Sequence, residues 1–230
     1  LAYGLYRLIE WPGFRLRHTV VQGAQATSRA DVIARAAFGA HPNMWLVDLG
    51  AARRRIEALP YVRNASLIRV PPATISIAIV ERVPVGCLEG LGYAEALVDV
   101  EGRVLSDVCP DTAAPIYRMP IAIPAPGGYV RDPGLAQLLS DAAALRGAGQ
   151  RFVELRHDRF GQLEATLTGG VVVRFGDETQ LAAKSRLVGP ILTTAAQQLG
   201  PVESIDLRAP ATPVVRYRGA AGSAVSTKQW

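Results

Sequence analysis

The sequence predicts an α+β protein in two parts. The first is a small strand–helix–helix–strand–strand module, and the second is a larger mixed β region with one long helix. Three observations carry this. Residues 55–84, RIEALPYVRNASLIRVPPATISIAIVERVP, finish an amphipathic helix and run on into a hairpin. Pro84 then breaks the pattern and opens a stretch of short alternating runs separated by Gly-containing turns. Residues 178–199 carry apolar positions at helical spacing over a length that no strand in such a region reaches.

The elements follow in order. Residues 14–22 (FRLRHTVVQ) alternate and predict a strand, turned at Gly23. Ser28 suits an N-cap and Asp31 the first turn of a helix through about Phe38, because both favour the orphaned N–H groups there. Val32, Ile33, Ala36 and Ala37 recur along it at helical spacing. Asp48 caps a second helix, whose Leu49, Ala52, Ile56 and Leu59 repeat at three and four until Pro60 stops it. Two strands follow, residues 61–70 and 74–80, joined by Pro71-Pro72. In the second, Ile75, Ile77 and Ile79 share a face that a helix layer has to cover.

Beyond Pro84, residues 96–100 and 103–108 predict a hairpin turned at Glu101-Gly102, and residues 119–123 another strand. Residues 135–145 read as a helix with Leu135, Leu138, Leu139, Ala142 and Leu145 on one side. Strands are expected at 152–157, 163–167 and 171–175. A helix over 178–199 with a kink at Gly189-Pro190 comes next, then closing strands at 202–207 and 213–218. Residues 219–230 are small and polar and predict a disordered tail.

Composition narrows the function. The chain has 230 residues, 49% hydrophobic, with a net charge of +5 from 25 basic and 20 acidic side chains. No basic block exceeds Arg53-Arg54-Arg55, which argues against nucleic acid as a partner. His18, His41 and His157 fall in a strand, a loop and a strand, and only His157-Asp158 brings a second ligand type close, in a pattern that reads as a turn. No serine lies in a nucleophile-elbow frame, and the Gly pairs at 127–128 and 169–170 lack the Lys-Ser/Thr of a phosphate loop. No catalytic residue, cofactor or metal is expected. Cys87 and Cys109, the two cysteines, read as small buried hydrophobes rather than a bridge, although an extracytoplasmic compartment permits a disulfide. Residues 1–9 are apolar and aromatic apart from Arg7. They read either as a packed terminus or as the outer end of a membrane helix, with Tyr3, Tyr6 and Trp11 at the interface.

Several pieces together resemble one family. They are Leu59-Pro60-Tyr61-Val62, the basic residue and prolines from Arg69 to Pro72, Glu81-Arg82-Val83-Pro84, the Leu97-Val98-Asp99 hairpin with Gly102, and Ile205-Asp206-Leu207-Arg208. In this order they resemble the FtsQ/DivIB cell division proteins. Departures are Tyr61 where Trp is common, Val70-Pro71-Pro72 in place of Trp-Pro, and Ala209 where some members carry an aromatic residue. The resemblance implies a membrane-proximal segment over 1–13, a polypeptide-transport-associated (POTRA) domain over 14–82, a β domain over 83–218 and a tail over 219–230. It further implies a non-enzymatic, single-pass inner-membrane protein with these domains on the periplasmic side of the septum, a divisome scaffold linking early to late septum-assembly proteins. Its partners would be FtsB-like and FtsL-like proteins. The competing expectation, a POTRA-bearing transport or outer-membrane assembly factor, calls for modules in series or a membrane barrel, neither of which the pattern suggests.

The same resemblance places the partner site on the last strand, an exposed sheet edge on which FtsB, held with FtsL, adds a strand. The residues expected there are Val214, Val215, Arg216, Tyr217 and Arg218, with Arg208 and Tyr217 flanking the partner. Val215 and Tyr217 alternate with Val214, Arg216 and Arg218, so one side can pack inward while the backbone edge stays open.

Overall fold

The computed structural model describes residues 11–40, 42–110 and 114–218. They form two compact units, the first closing at Val83 and the second opening at Pro84. The expected membrane-helix end over residues 1–9 and the expected tail over 219–230 lie outside the described residues. Among the described residues no helix is long and apolar enough to cross a membrane.

The first unit contains β1 (His18–Gln22), α1 (Arg29–Ala36), α2 (Leu49–Glu57), β2 (Val62–Val70) and β3 (Thr74–Glu81). The sheet order is β1-β3-β2, with β1 parallel and β2 antiparallel to the central β3. A parallel pair needs a long crossover, and the two helices are part of it. Ile75, Ile77 and Ile79 are buried in one cluster with Val32, Ala36, Ala52 and Ile56, so the isoleucine face is the face the helices cover. Both expected caps form: Ser28 Oγ accepts the Asp31 N–H at 3.0 Å, and Asp48 Oδ1 accepts the Ala51 N–H at 2.9 Å. Ile33, expected on the packed face of α1, is exposed instead. β1 begins at His18, later than expected, because Pro12–Phe14 forms a short 3-10 turn. Phe14 stacks there edge-on against Trp11 and Trp45 at 5.4 and 6.0 Å.

The second unit is a nine-stranded mixed sheet with two helices. In chain order its elements are β4 (Pro84–Glu89), β5 (Glu95–Asp99), β6 (Val104–Ser106), β7 (Ile116–Arg118), α3 (Pro133–Gly147), β8 (Phe152–His157), β9 (Leu163–Leu167), β10 (Val172–Gly176), α4 (Leu181–Leu199), β11 (Val202–Asp206) and β12 (Val214–Tyr217). The strand order is β12-β11-β10-β9-β8-β7-β4-β5-β6. Parallel pairing occurs at β4–β7, β7–β8 and β10–β11, where a hairpin, α3 and α4 respectively supply the crossover. Leu135, Leu138, Leu139, Ala142 and Leu145 of α3 are buried with Val188 and Ile191 of α4 and with Leu155, Val173 and Ile205 of the sheet.

Four expectations need correction. Pro84, expected only to break the pattern, also starts β4, a strand not among those expected, where the first residue needs no N–H donor. Gly86 on β4 is a close contact, since a Cβ there would lie 2.4 Å from the Tyr117 ring. The strand expected over 119–123 is displaced to β7, because Pro120 cannot donate to a ladder. The 119–123 segment leans instead on the end of β4, with Met119 N–H on Glu89 O (3.0 Å) and Leu91 N–H on Ile121 O (2.9 Å). The long helix runs on through Pro190 but starts at Leu181, since Gln180 adopts a left-handed φ of 58°.

The fourth correction concerns the cysteines. Cys87 and Cys109 form a disulfide with Cα atoms 5.9 Å apart. Cys87 lies on β4, next to β7 in the sheet, and Cys109 lies on the connection from β6 to β7. That connection has to cross the end of β4, which brings the two residues together.

Candidate partner-binding edge

β12 is the terminal strand of the nine-stranded sheet, and among the described residues no strand pairs with its outer side. It runs antiparallel to β11, with Ser204 opposite Arg216, Ile205 opposite Val215 and Asp206 opposite Val214. Alternation turns its two faces apart. Val215 and Tyr217 pack against the apolar core under the sheet, while Arg216 and Arg218 are exposed. This is the inward–outward division expected from the sequence.

The backbone polarity follows from one hydrogen bond. The Arg218 N–H donates to Pro201 O at 2.8 Å, so Arg218 presents its polar groups to the β11 side. In an antiparallel strand successive residues alternate in this respect. Arg216 and Val214 therefore also face β11, and the N–H and C=O groups of Val215 and Tyr217 point away from the sheet. Those four groups form the open edge. An edge of this kind is a template for another chain, and the exposed charge of Arg216 and Arg218 restrains indiscriminate pairing.

The two ends of β12 differ. At the Val214 end the chain arrives from β11 through residues 207–213, where the Leu207 N–H is held by Arg174 O at 2.8 Å. Arg208 folds back onto Asp206, with Nε 3.0 and 2.9 Å from the two carboxylate oxygens. Burial raises the proton affinity of Asp206, but the Arg208 hydrogen bonds and charge outweigh it and hold the carboxyl below its usual range. The Arg208 side chain lies across Gly176, where a Cβ would sit 2.9 Å from its Cγ. Tyr217 lies opposite Val202, at the other end of the strand. Arg208 thus stands before the Val214 end of the four-residue strand while Tyr217 is its last residue, so the two do not lie beside each other.

One feature of the site had no clear signal in the sequence. A groove of about 360 Å³ opens beside the start of β12, between α4 (Leu187, Pro190, Ile191) and the incoming loop (Pro210, Ala211, Pro213). Pro190 was legible only as a kink in the helix and Pro213 only as the start of the closing strand. Their meeting depends on α4 lying over β11.

The two units correspond to two known domain types. Residues 14–82 match the FtsQ-type POTRA domain, and residues 90–208 match the C-terminal domain of cell division proteins FtsQ/DivIB, a match that stops short of β12. Relatives described as cell division protein FtsQ include one from Mycobacteroides abscessus, 25% identical over 94% of this chain and 66% of that protein. One from Novosphingobium aromaticivorans is 28% identical over 94% of this chain and 66% of its own length. One from Myxococcus fulvus is 30% identical over 71% of this chain and 57% of its own. The chain therefore spans 66% or less of the length of these relatives. With a POTRA module followed by a β domain, and matches to both, the chain belongs to the FtsQ/DivIB family of cell division proteins.

Proposed function

We propose that this chain is the extracytoplasmic part of a non-enzymatic division scaffold held in the inner membrane by a helix N-terminal to Trp11. In this reading β12 receives a strand from a small divisome partner of the FtsB kind, itself held with an FtsL-like protein. The observation that carries it is the outward-facing backbone of Val215 and Tyr217 on an open edge. Strand addition draws affinity from such main-chain groups and selectivity from alternate side chains. Arg216 and Arg218 favour an acidic segment, and the neighbouring apolar groove offers a seat for whatever flanks the added strand. The Cys87–Cys109 disulfide supports the extracytoplasmic placement, because such bonds persist in oxidising compartments.

The test is Val215→Pro. The substitution deletes an outward donor while leaving the β11 side of the ladder its own hydrogen bonds, and proline is tolerated at such edge positions. Losing one donor and distorting its neighbour removes about two hydrogen bonds at roughly 0.5–1.5 kcal/mol each. Affinity for the FtsB-like partner should then fall by about tenfold in calorimetry, with the circular dichroism unchanged. Undiminished binding by a folded variant would move the partner site to the POTRA unit. For topology, a reporter fused after Arg218 should be active only in its extracytoplasmic form.

A further inference from the structure

Away from the sheet edge, three side chains from three different elements converge. Asp141 is in the middle of α3, His157 ends β8, and Glu178 lies in the turn before α4. Their ligand-type atoms all fall within 4.8 Å of one another. Asp141 is 3% exposed, and its Oδ2 and the Nε2 of His157 are buried without a hydrogen-bond partner. These two atoms are 3.4 Å apart. That separation is long for an N–H···O bond to carboxylate, whose ordinary length is ~2.7–2.9 Å. It is the separation expected of two ligands at ~2.0–2.1 Å from one ion at the tetrahedral angle. The other carboxylate oxygen of Asp141 is already oriented, accepting Gln137 Nε2 at 3.1 Å, as outer partners orient metal-bound carboxylates. The neighbouring Asp177 is committed to Lys184, Nζ to Oδ1 being 2.8 Å, which leaves Glu178 as the exposed, movable third ligand.

We propose that Asp141, His157 and Glu178 bind one divalent transition-metal cation of the zinc class, with water completing the coordination. An imidazole among two carboxylates selects zinc-like ions over calcium and magnesium, which prefer oxygen ligands alone. The bound ion ties α3, β8 and the start of α4 together, so its binding free energy adds to the stability of the β domain.

The experiment is calorimetric titration of the whole chain with Zn2+, with thermal unfolding in parallel and Ca2+ as the control cation. One Zn2+ should bind per chain and raise Tm, with Ca2+ giving neither effect. Glu178→Gln, at an exposed position, should fold normally and weaken Zn2+ affinity by roughly tenfold or more. His157→Gln should abolish both binding and the Tm shift. With the cysteines bridged, no thiol competes for the ion. Absence of one-to-one binding in the parent chain, or its persistence in a folded Glu178→Gln and a folded His157→Gln alike, would overturn the site.

Discussion

Glu81, the last residue of β3, accepts the backbone N–H of Thr27 at 2.7 Å and that of Ala26 at 2.9 Å. It thereby fixes the loop that delivers Ser28 to the start of α1. The glutamate of Glu81-Arg82-Val83-Pro84 is thus a clamp within the POTRA unit. Burial raises its proton affinity, but the hydrogen bonds from Ala26, Thr27 and Gln25 outweigh that and lower its pKa. A carboxyl lowered in the folded state contributes stability that is present above its ordinary value, about 4.3, and is lost as pH falls through the folded value. Glu81→Ala should cost about 1–2 kcal/mol at neutral pH. In urea titrations the gap between parent and variant should shrink as the pH is lowered below that ordinary value. A gap that stayed constant would mean that the carboxylate charge contributes nothing.

Ile77 is fully buried between the helices and the sheet, opposite Val21 on one neighbour and Leu67 on the other. Ile77→Ala should cost about 2–5 kcal/mol through lost burial and the cavity left behind. Ser76, on the other face of β3, should tolerate alanine with a loss below about 0.5 kcal/mol. Chemical denaturation of the two variants compares the faces directly.

The disulfide closes a loop with a sequence separation of 22 residues. In the chain-entropy model a loop of that size stabilises by about 3 kcal/mol. Replacing both cysteines by alanine should lower the unfolding free energy by about 2–4 kcal/mol. Alkylation of the denatured parent should label neither sulfur until a reductant is added. Two labelled thiols without reductant would contradict the bridge.

Tyr217 and Arg216 are adjacent but should fail differently. Tyr217 packs against the core, so Tyr217→Ala should lower stability as well as partner affinity. Arg216 is exposed, and Arg216→Glu should leave the unfolding midpoint within about 0.5 kcal/mol of the parent. On the strand-addition reading it should weaken association chiefly at low salt, since exposed charges are screened over ~10 Å at 0.1 M. Binding measured at two ionic strengths, beside a thermal melt, separates the two roles.

What lay in the sequence was local. The caps at Ser28 and Asp48, the isoleucine alternation of β3, the turn at Gly102 and the apolar stripe of α3 are each decided within about ten residues by backbone geometry and side-chain period. The alternation of Val214 to Arg218 was legible in the same way. What the tertiary structure decided was which distant pieces meet. β12 is an edge only because β11 pairs with β10 on its other side, across a crossover that spans α4. Cys87 meets Cys109 only because the β6–β7 connection has to pass the end of β4. Gly86 is glycine for the sake of Tyr117, and Asp141 faces His157 from another element. Spacing along the chain carries none of these, because strand order and layer packing are chosen by the burial of a shared core, and that choice depends on every element at once.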